Sequence, residues 1–295
     1  MADARVHKGV IPAAGLGTRL LPATKVVPKE LLPLIDVPVI QLAVDEARAS
    51  GIDDLIVVTS RGKEILADHF DRQPELEAHL RERGKLEQLA AVGDVGAGVR
   101  FHYTRQPEPR GLGHAVLQAA AHVGHEPFAV LLPDDVMLGP RPVLAQLLDH
   151  WRPGFAVVAV MRVAREEAGR YGIVAGDVAP GSRAFRVEHI VEKPAPADVP
   201  PVAWAVMGRY VLDADVFDIL ETLPPGAGGE IQLTDALAEL ARAGRLVAVA
   251  YEGERYDMGD KLGYVKAIIT HGLERPDFRD RLAAYLRSLA DAGRF

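Results

Sequence analysis

The stretch Val6–Leu20, VHKGVIPAAGLGTRL, contains an apolar run that is followed by two glycines, Gly15 and Gly17, with one residue between them. The apolar run predicts a first β-strand over Val6–Ala13, buried on both faces in its second half. Glycines directly after a buried strand let the backbone approach a ligand closely and turn N–H groups toward phosphate oxygens. A tight turn also uses such a pair of glycines, so the residues around the pair decide its meaning.

Two common phosphate-binding loops do not fit this stretch. A dinucleotide-binding fingerprint needs a third glycine three residues after Gly17, and Leu20 stands there. A Walker A loop needs Gly-Lys-Ser or Gly-Lys-Thr after four intervening residues, and the stretch lacks this sequence. A nicotinamide or flavin enzyme on a Rossmann domain is therefore disfavoured, although it stays an alternative.

The segment that follows is locally basic. Gly15–Glu30 contains three cations, Arg19, Lys25 and Lys29, against one acid, which gives it a net charge of +2. Two prolines in the same segment stiffen it and prevent a helix. Three cations on a stiff loop beside a glycine turn can surround a triphosphate, because arginine grips two oxygens and lysine acts as a point charge. A solvated basic loop is the simpler alternative.

The chain as a whole is acidic. Its 295 residues include 34 Lys and Arg against 41 Asp and Glu, with 48 % apolar residues and no cysteine. The net charge of −7 disfavours a nucleic-acid-binding protein, and the lack of cysteine excludes disulfides, thiol nucleophiles and cysteine-ligated metals. No run of about 18 apolar residues indicates a membrane span, and the polar start Met1–Lys8 is unlike a signal peptide. We therefore expect a cytoplasmic protein that binds neither nucleic acid nor membrane.

Short apolar runs alternate with helical patterns, which is typical of an α/β fold. Further strands are predicted over residues 55–59, 99–104, 128–132, 155–162, 172–175, 186–192 and 203–212. Helices are predicted over residues 62–70, 74–91, 113–122, 143–151, 215–222, 232–243, 261–271 and 277–290, and another begins at Pro38 and ends before Gly51. We expect a Rossmann-like, three-layer fold with a mixed, mostly parallel central sheet.

Two acidic clusters indicate a site for a divalent cation. Asp134 and Asp135 follow the apolar strand FAVLL, and the carboxyl ends of strands carry the ligand site in open α/β sheets. Asp257 lies in the loop YDMGDKLGY before a helix, where Asp260 suits the N-cap. Aspartates from two distant segments, together with phosphates, suit Mg²⁺, a hard cation that takes oxygen ligands. A simple turn is the alternative explanation of the first cluster.

The basic segment also carries a family signature. Residues 14–20 (AGLGTRL) and 28–33 (PKELLP) resemble the signature of the sugar-1-phosphate nucleotidyltransferases. Within that family, the run LPATKVVPKELLPL is similar to the bacterial uridylyltransferases that act on UTP and glucose 1-phosphate. The resemblance implies that Arg19 and Lys29 bind the nucleotide phosphates. It also matches Lys25, without giving that residue a definite role.

Further matches to the same family extend over most of the chain. Those of the nucleotide site are Ala13, Ala14, Gly15, Gly17, Thr18, Gln106 and Gly111. Those of the sugar site are Gly172, Glu192, Gly208 and Glu230. The resemblance implies that Gln106 contacts the uracil or thymine ring and that Lys193 holds the phosphate of the sugar phosphate. It implies Mg²⁺ ligands at Asp134 and Asp257, with Asp135 as the rival to the first.

The resemblance implies that UTP and glucose 1-phosphate react to give UDP-glucose and pyrophosphate, with Mg²⁺ as cofactor. No general base is needed, because a phosphate monoester is already anionic near neutral pH and attacks the α-phosphorus in line. Alternatives are the same chemistry with dTTP or another sugar phosphate, and a non-catalytic protein that keeps the pocket. The family further implies a homo-oligomer, either a dimer or a tetramer.

Strand-like segments crowd together after residue 165, which predicts a partly antiparallel subdomain over 165–230. The chain shows no internal repeat and no flexible linker. We therefore expect a single domain over 1–295. It consists of a nucleotide-binding part (6–165), this sugar-binding subdomain, and a last part (231–295) with the C-terminal helices and the metal loop.

Overall fold

The computed structural model describes residues 5–294. The strands are β1 (Lys8–Pro12), β2 (Pro33–Leu34), β3 (Val37–Pro38), β4 (Asp54–Thr59), β5 (Arg100–Arg105), β6 (Phe128–Leu131), β7 (Asp135–Leu138), β8 (Ala156–Ala164), β9 (Gly172–Ala175), β10 (Ala184–Arg186), β11 (His189–Glu192), β12 (Val202–Leu212), β13 (Leu246–Ala250) and β14 (Glu254–Asp257). The helices are α1 (Val39–Ala49), α2 (Ile65–Asp68), α3 (Pro74–Glu82), α4 (Leu86–Asp94), α5 (Leu112–Leu117), α6 (Ala120–Val123), α7 (Val143–Leu148), α8 (Val216–Thr222), α9 (Leu233–Arg242), α10 (Lys261–Glu274) and α11 (Arg279–Asp291). Within these described residues, no helix has both the length and the apolarity to cross a membrane.

The central sheet has the strand order β10-β13-β8-β12-β6-β1-β4-β5, with β9 also paired to β12 and β11 paired to β9. The neighbours β5, β4, β1 and β6 are parallel, and β13 is parallel to β8. β12 runs antiparallel between β6 and β8, and β10 is antiparallel to β13 at the edge. The mixed, mostly parallel sheet expected from the sequence is confirmed.

Helices cover both faces of this sheet. On β1, Val10 belongs to the core on one face and Ile11 to the core on the other, and both side chains are fully buried. Helices α5, α8 and α9 pack on the first face, and α1 and α7 pack on the second. The apolar run that opens the sequence is therefore a strand buried on both sides, as expected for the centre of a largely parallel sheet.

A two-stranded ribbon outside the central sheet brings the two acidic clusters together. β14 pairs antiparallel with β7, which places Asp257 opposite Asp135. Val136 and Met258 from this ribbon pack with Leu34 and with helix α10 in a small separate core. The loop that carries Asp257 is thus held beside Asp135 by the β7–β14 pairing and by its own apolar contacts.

Several predicted elements divide or were missed. The helix predicted over 74–91 is two helices, because Gly84 between them has a left-handed φ of +65°. The strand predicted over 186–192 divides into β10 and β11, because the first pairs with β13 and the second with β9. The helix predicted over 113–122 divides into α5 and α6. The sequence prediction missed β13, a buried LVAVA run that follows α9 after a short turn at Gly244.

The predicted subdomain over 165–230 shares the sheet of the rest of the chain. Its longest strand, β12, lies between β6 and β8, while β9 and β11 extend the sheet beside it. The division of the chain into three parts stays a prediction.

Candidate active site

Two adjoining cavities lie at the carboxyl ends of the central strands. One, of about 410 Å³, is lined by the glycine loop after β1 and by Gln106 after β5. The other, of about 650 Å³, is lined by residues of β9, β11, β12 and β14. Asp134 and Glu230 border both cavities. A third cavity of about 720 Å³, bordered by Trp151, contains none of the predicted site residues.

The glycine loop is held by a buried lysine that the sequence analysis did not single out. The Nζ of Lys63 donates to the carbonyl oxygens of Ala13 and Gly15, both at 2.7 Å, and to the carboxylate of Glu30 at 2.8 and 3.0 Å. Burial lowers the pKa of Lys63 and raises the pKa of Glu30, in each case against the attraction of the other group. Glu30 stands inside the PKELLP signature, whereas no sequence pattern marks Lys63.

Lys29 and Asp134 form the contact between the basic segment and the first acidic cluster. The Nζ of Lys29 lies 2.5 Å from Oδ2 of Asp134. Burial opposes the charge on Lys29, but attraction to Asp134 and Glu30 outweighs it and raises the pKa of Lys29. Burial likewise opposes the charge on Asp134, and the neighbouring ammonium overcomes it and lowers the pKa of that carboxyl. The two groups therefore form a charged pair.

Asp257 faces the larger cavity and is surrounded by arginines. Its Oδ2 accepts hydrogen bonds from Arg19 and Arg170, each at 3.2 Å, and its Oδ1 accepts from the N–H of Gly259 at 2.8 Å. The N–H of Met258 donates to the backbone oxygen of Asp134 at 2.8 Å. This bond joins the two aspartate loops directly, so both carboxylates border one cavity.

Asp135, the rival to Asp134, turns into the protein instead. Its Oδ2 accepts from the N–H of Gly208 at 2.9 Å, and its Oδ1 accepts from Nε of Arg255 at 2.9 Å. Burial raises the pKa of the Asp135 carboxyl, although Arg255 opposes this. A Cβ at Gly208 would lie 2.7 Å from Oδ2 of Asp135, so this position needs glycine for close packing.

Gln106, which is predicted for the nucleotide site, lines the smaller cavity, and its side-chain amide is held by two contacts. Its Nε2 donates to the backbone oxygen of Gly111 and lies 3.0 Å from Nδ1 of His114. Gly111 has φ +100°, and a Cβ there would lie 2.7 Å from the backbone oxygen of Ile231. Burial lowers the pKa of His114, with Arg110 acting in the same direction. His114 is therefore a neutral partner of Gln106 at the helix start.

The residues predicted for the sugar site meet in the larger cavity. Oε2 of Glu192 accepts from the hydroxyl of Thr234 at 2.7 Å, and its Oε1 lies 3.1 Å from Nζ of Lys193. Lys193 has a left-handed φ of +45°, and its N–H donates to the backbone oxygen of Tyr171 at 2.9 Å. A non-glycine residue held in this strained region is typical of functional sites.

Most of the predicted site residues line these two cavities, and two do not. The predicted residues at the cavities are Ala14, Gly15, Gly17, Thr18, Arg19, Lys29, Gln106, Gly111, Asp134, Gly172, Glu192, Lys193, Gly208, Glu230 and Asp257. Ala13 is fully buried below the loop, and Lys25 is exposed outside the cavities. Asp260 caps helix α10 by accepting from the N–H of Gly263 at 2.8 Å, as its position suggested. Arg170 and Arg255 were missed, since each lies just outside a matched position: Arg170 stands two residues before Gly172, and Arg255 immediately precedes the loop YDMGDKLGY.

Residues 8–271 match a family model described as nucleotidyl transferase. The chain belongs to the nucleotidyl transferase family. It is 50 % identical to the UTP–glucose-1-phosphate uridylyltransferase YngB of Bacillus subtilis strain 168, over 97 % of this chain and 96 % of that protein. A UTP-bound UGPase from Acinetobacter baumannii aligns with a TM-score of 0.89 at 38 % identity, over 97 % of this chain and 100 % of the other. A UDP-glucose pyrophosphorylase complexed with UDP-glucose aligns with a TM-score of 0.84 at 38 % identity, over 92 % and 100 %. The family resemblance is confirmed.

The donor set of this nucleotidyl transferase fits a divalent cation that takes oxygen ligands. Asp134 and Asp257 each present a carboxylate to the larger cavity. Both carboxylates are paired with the cations Lys29, Arg19 and Arg170. These same cations suit phosphate oxygens, so a metal ion and a triphosphate together could replace the ion pairs without leaving a charge unpaired.

Proposed function

We propose that this nucleotidyl transferase forms UDP-glucose and pyrophosphate from UTP and glucose 1-phosphate. The observation that carries the proposal is the junction of the two cavities at Asp134, with Lys29 on one side and Glu192 and Lys193 on the other. One cavity has the glycine loop and Lys29, which suit a triphosphate, and the other has Glu192 and Lys193, which suit a sugar phosphate. Arg19 lines this second cavity. The names of the aligned relatives support the same pair of substrates.

In the proposed reaction, a phosphate oxygen of glucose 1-phosphate forms a bond to the α-phosphorus of UTP. The bond from this phosphorus to the oxygen that bridges it to the β-phosphate breaks, and pyrophosphate leaves with that electron pair. Both substrates are anions, so the protein acts mainly by positioning them and by neutralising their charge. Lys193 holds the attacking phosphate, while Arg19 and Lys29 take the charge that develops on pyrophosphate.

Mg²⁺ completes the proposal as the cofactor, held by Asp134 and Asp257. When bound, it supplies charge neutralisation for phosphate oxygens at the point where the two cavities meet. Asp135 has a positioning role instead, because both of its oxygens are bonded to Arg255 and to the N–H of Gly208. Asp135 holds the start of β7 in place beside Asp134.

The base and sugar sites follow from the remaining contacts. We propose that Gln106 contacts the uracil ring. Gly111 and His114 hold the amide nitrogen of Gln106, so the orientation of this side chain is fixed before the ring binds. The sugar hydroxyls belong with Glu192, and Glu230 between the two cavities completes the pocket. We prefer UTP to dTTP on the names of the relatives. The two nucleotides differ only in the C5 methyl group of the base and the 2′-hydroxyl of the ribose, and a methyl group changes binding by only about 1–3 kcal/mol.

We further propose that the protein is cytoplasmic and forms a homo-oligomer. UTP and sugar phosphates are charged metabolites of the cell interior, so we place the protein in the cytoplasm. Large apolar side chains of the last two helices, Leu262, Val265 and Tyr285, are at least half exposed. Their exposure supports a homo-oligomer, either a dimer or a tetramer, which light scattering on the purified chain would measure.

A pyrophosphate-release assay over a panel of nucleotides tests the substrate assignment. The full-length protein is supplied with Mg²⁺, glucose 1-phosphate and, in separate reactions, UTP, dTTP, CTP, ATP or GTP. The proposal expects UTP to give the highest kcat/KM by at least about 10-fold, the discrimination that pocket contacts of this kind supply. A clear preference for dTTP would show that the protein is a thymidylyltransferase and would overturn the assignment of UTP as its substrate.

A further inference from the structure

Two histidines and an aspartate meet at the end of the sheet opposite the candidate active site. Asp54 is the first residue of β4, His102 lies on the neighbouring β5, and His122 lies on α6. Oδ1 of Asp54 lies 2.7 Å from Nε2 of His122 and 3.6 Å from Nε2 of His102. One oxygen and two imidazole nitrogens therefore converge on one point, and the proposed reaction uses none of them.

The backbone accounts for this convergence. In the parallel β4–β5 pair, Asp54 is opposite Arg100 and Ile56 is opposite His102. Side chains alternate along a strand, so Asp54 and His102 point to the same face of the sheet. Helix α6 covers that face and supplies His122, whose ring centroid lies 4.1 Å from that of His102.

The spacing of the three atoms fits one tetrahedral metal ion. Zinc bonds of about 2.0–2.2 Å to imidazole nitrogen and carboxylate oxygen place neighbouring ligand atoms about 3.3 Å apart. The three candidate atoms all lie within 4.8 Å of one another, and the two separations from Asp54 fall on either side of the ideal value. Small side-chain rotations would complete three corners of a tetrahedron, and the exposed side of His102 leaves the fourth for water.

The two cationic side chains nearest to Asp54, Arg100 and Lys8, do not contact its Oδ1 oxygen. Nη2 of Arg100 lies 3.2 Å from the other oxygen of Asp54, Oδ2, and this arginine is largely exposed. Nζ of Lys8 is occupied by the backbone oxygens of His122 and Val123 and by the carboxylate of Glu126. Arg100 therefore competes for the aspartate only at the oxygen that faces away from the histidines.

We propose that Asp54, His102 and His122 form a second metal site, for a divalent first-row transition ion such as Zn²⁺. Two imidazoles and one carboxylate select Zn²⁺ and its neighbours over Mg²⁺, which takes oxygen ligands. The site would join β4, β5 and α6 at the end of the sheet opposite the two cavities. It is separate from the aspartates of the proposed reaction.

Metal titration of the full chain tests this site without reference to turnover. The protein is stripped with a chelator, dialysed into excess Mg²⁺ to occupy the oxygen-ligand site, and titrated with Zn²⁺ by calorimetry and with Co²⁺ by visible absorption. We expect one ion per chain, with the strong visible bands of tetrahedral Co²⁺. His102→Gln and His122→Gln are each expected to weaken binding by at least about 10-fold.

His125→Gln is the matched control, because His125 is exposed, adjacent to α6 and outside the triad. It should bind Zn²⁺ as the unmodified protein does. His102 is also substantially exposed, so His102→Gln should keep the fold, which circular dichroism checks. Failure of the unmodified chain to bind Zn²⁺ or Co²⁺, or unchanged binding in both His102→Gln and His122→Gln, would overturn the site and leave the proposed reaction untouched.

Discussion

The Nζ of Lys29 lies 2.5 Å from Oδ2 of Asp134. One of these residues is expected to bind nucleotide phosphates, and the other is expected to hold a metal ion. In this structure each neutralises the other. Binding of a metal–triphosphate complex would exchange partners at this point, with the metal ion beside Asp134 and phosphate oxygens beside Lys29.

Lys29→Gln should therefore lower kcat/KM for UTP by about 10²- to 10³-fold, the usual loss when a group that stabilises developing charge is removed. The cause is a leaving pyrophosphate with one neutralising cation fewer. Steady-state pyrophosphate release measures this loss. Lys85→Gln, which removes an exposed lysine far from both cavities, is the charge-matched control and should stay within about 2-fold. Equal rates in the two variants would remove Lys29 from the proposed mechanism.

Lys193 should act on the sugar phosphate and not on UTP. Lys193→Ala is expected to lower kcat/KM for glucose 1-phosphate by about 10²-fold or more, with the KM for UTP nearly unchanged. Lys193→Gly loses the same charge but relieves the left-handed backbone, so its free energy of unfolding should exceed that of Lys193→Ala by about 1 kcal/mol. Urea denaturation measures the second effect. A large rise in the KM for UTP would show that Lys193 acts on UTP, which contradicts the prediction.

The contact between Gln106 and His114 predicts a pH dependence of UTP binding. Burial holds the pKa of His114 below its ordinary 6.5, so the ring is neutral at higher pH and its Nδ1 accepts from Gln106. As the pH falls through this lowered pKa, Nδ1 gains a proton, the bond is lost and the KM for UTP should rise. The free energy of unfolding should also fall as the pH falls, because this contribution to stability is fully present above the ordinary pKa of 6.5 and is lost as the pH drops through the lowered pKa.

His114→Asn provides the comparison for this profile, since asparagine offers an acceptor oxygen and does not titrate. The KM for UTP is measured for both proteins from about pH 8 to about pH 5, the range in which histidine titrates. UTP itself gains a proton in this range, so the difference between the profiles is the relevant quantity. Profiles of identical shape would show that His114 does not control the base site.

The buried pair of Lys63 and Glu30 should dominate the stability of the glycine loop. Glu30→Gln leaves the Lys63 ammonium without its counter-charge and should cost about 3–5 kcal/mol in the free energy of unfolding. The double variant Lys63→Met/Glu30→Gln should cost less than the sum of the two single changes by at least about 1 kcal/mol. Urea denaturation of the four proteins measures this coupling, and strict additivity would mean that the pair contributes nothing jointly.

The sequence predicted the fold well where a pattern is local. The apolar run before the glycine pair, the FAVLL strand and the helix that ends at Gly51 each carry their own signal, and all three occur in the structure. The strand LVAVA was missed because it follows a helix after a short turn. The family signature also located Arg19 and Lys29, and the end of the FAVLL strand located Asp134. All three border the two cavities.

The remaining site residues depend on long-range contacts that no local pattern records. Lys63 reaches the glycine loop only because α2 follows β4, the neighbour of β1 in the sheet. Arg255 lies on β14, a strand that exists because it pairs with β7 outside the main sheet. Asp134 and Asp135 are adjacent in sequence but differ in environment, because Lys29 pairs with the first while Arg255 and Gly208 hold the second.

The central claim is that the uridylyl group passes from UTP directly to glucose 1-phosphate. UTP labelled with ³²P at the α-phosphorus, incubated with the protein, Mg²⁺ and glucose 1-phosphate, measures this transfer when the products are separated by chromatography. The account predicts that the label moves into UDP-glucose in equal amount to the unlabelled pyrophosphate released, and that it stays in UTP when glucose 1-phosphate is omitted. Label recovered in UMP, or on the protein, without formation of UDP-glucose would contradict it.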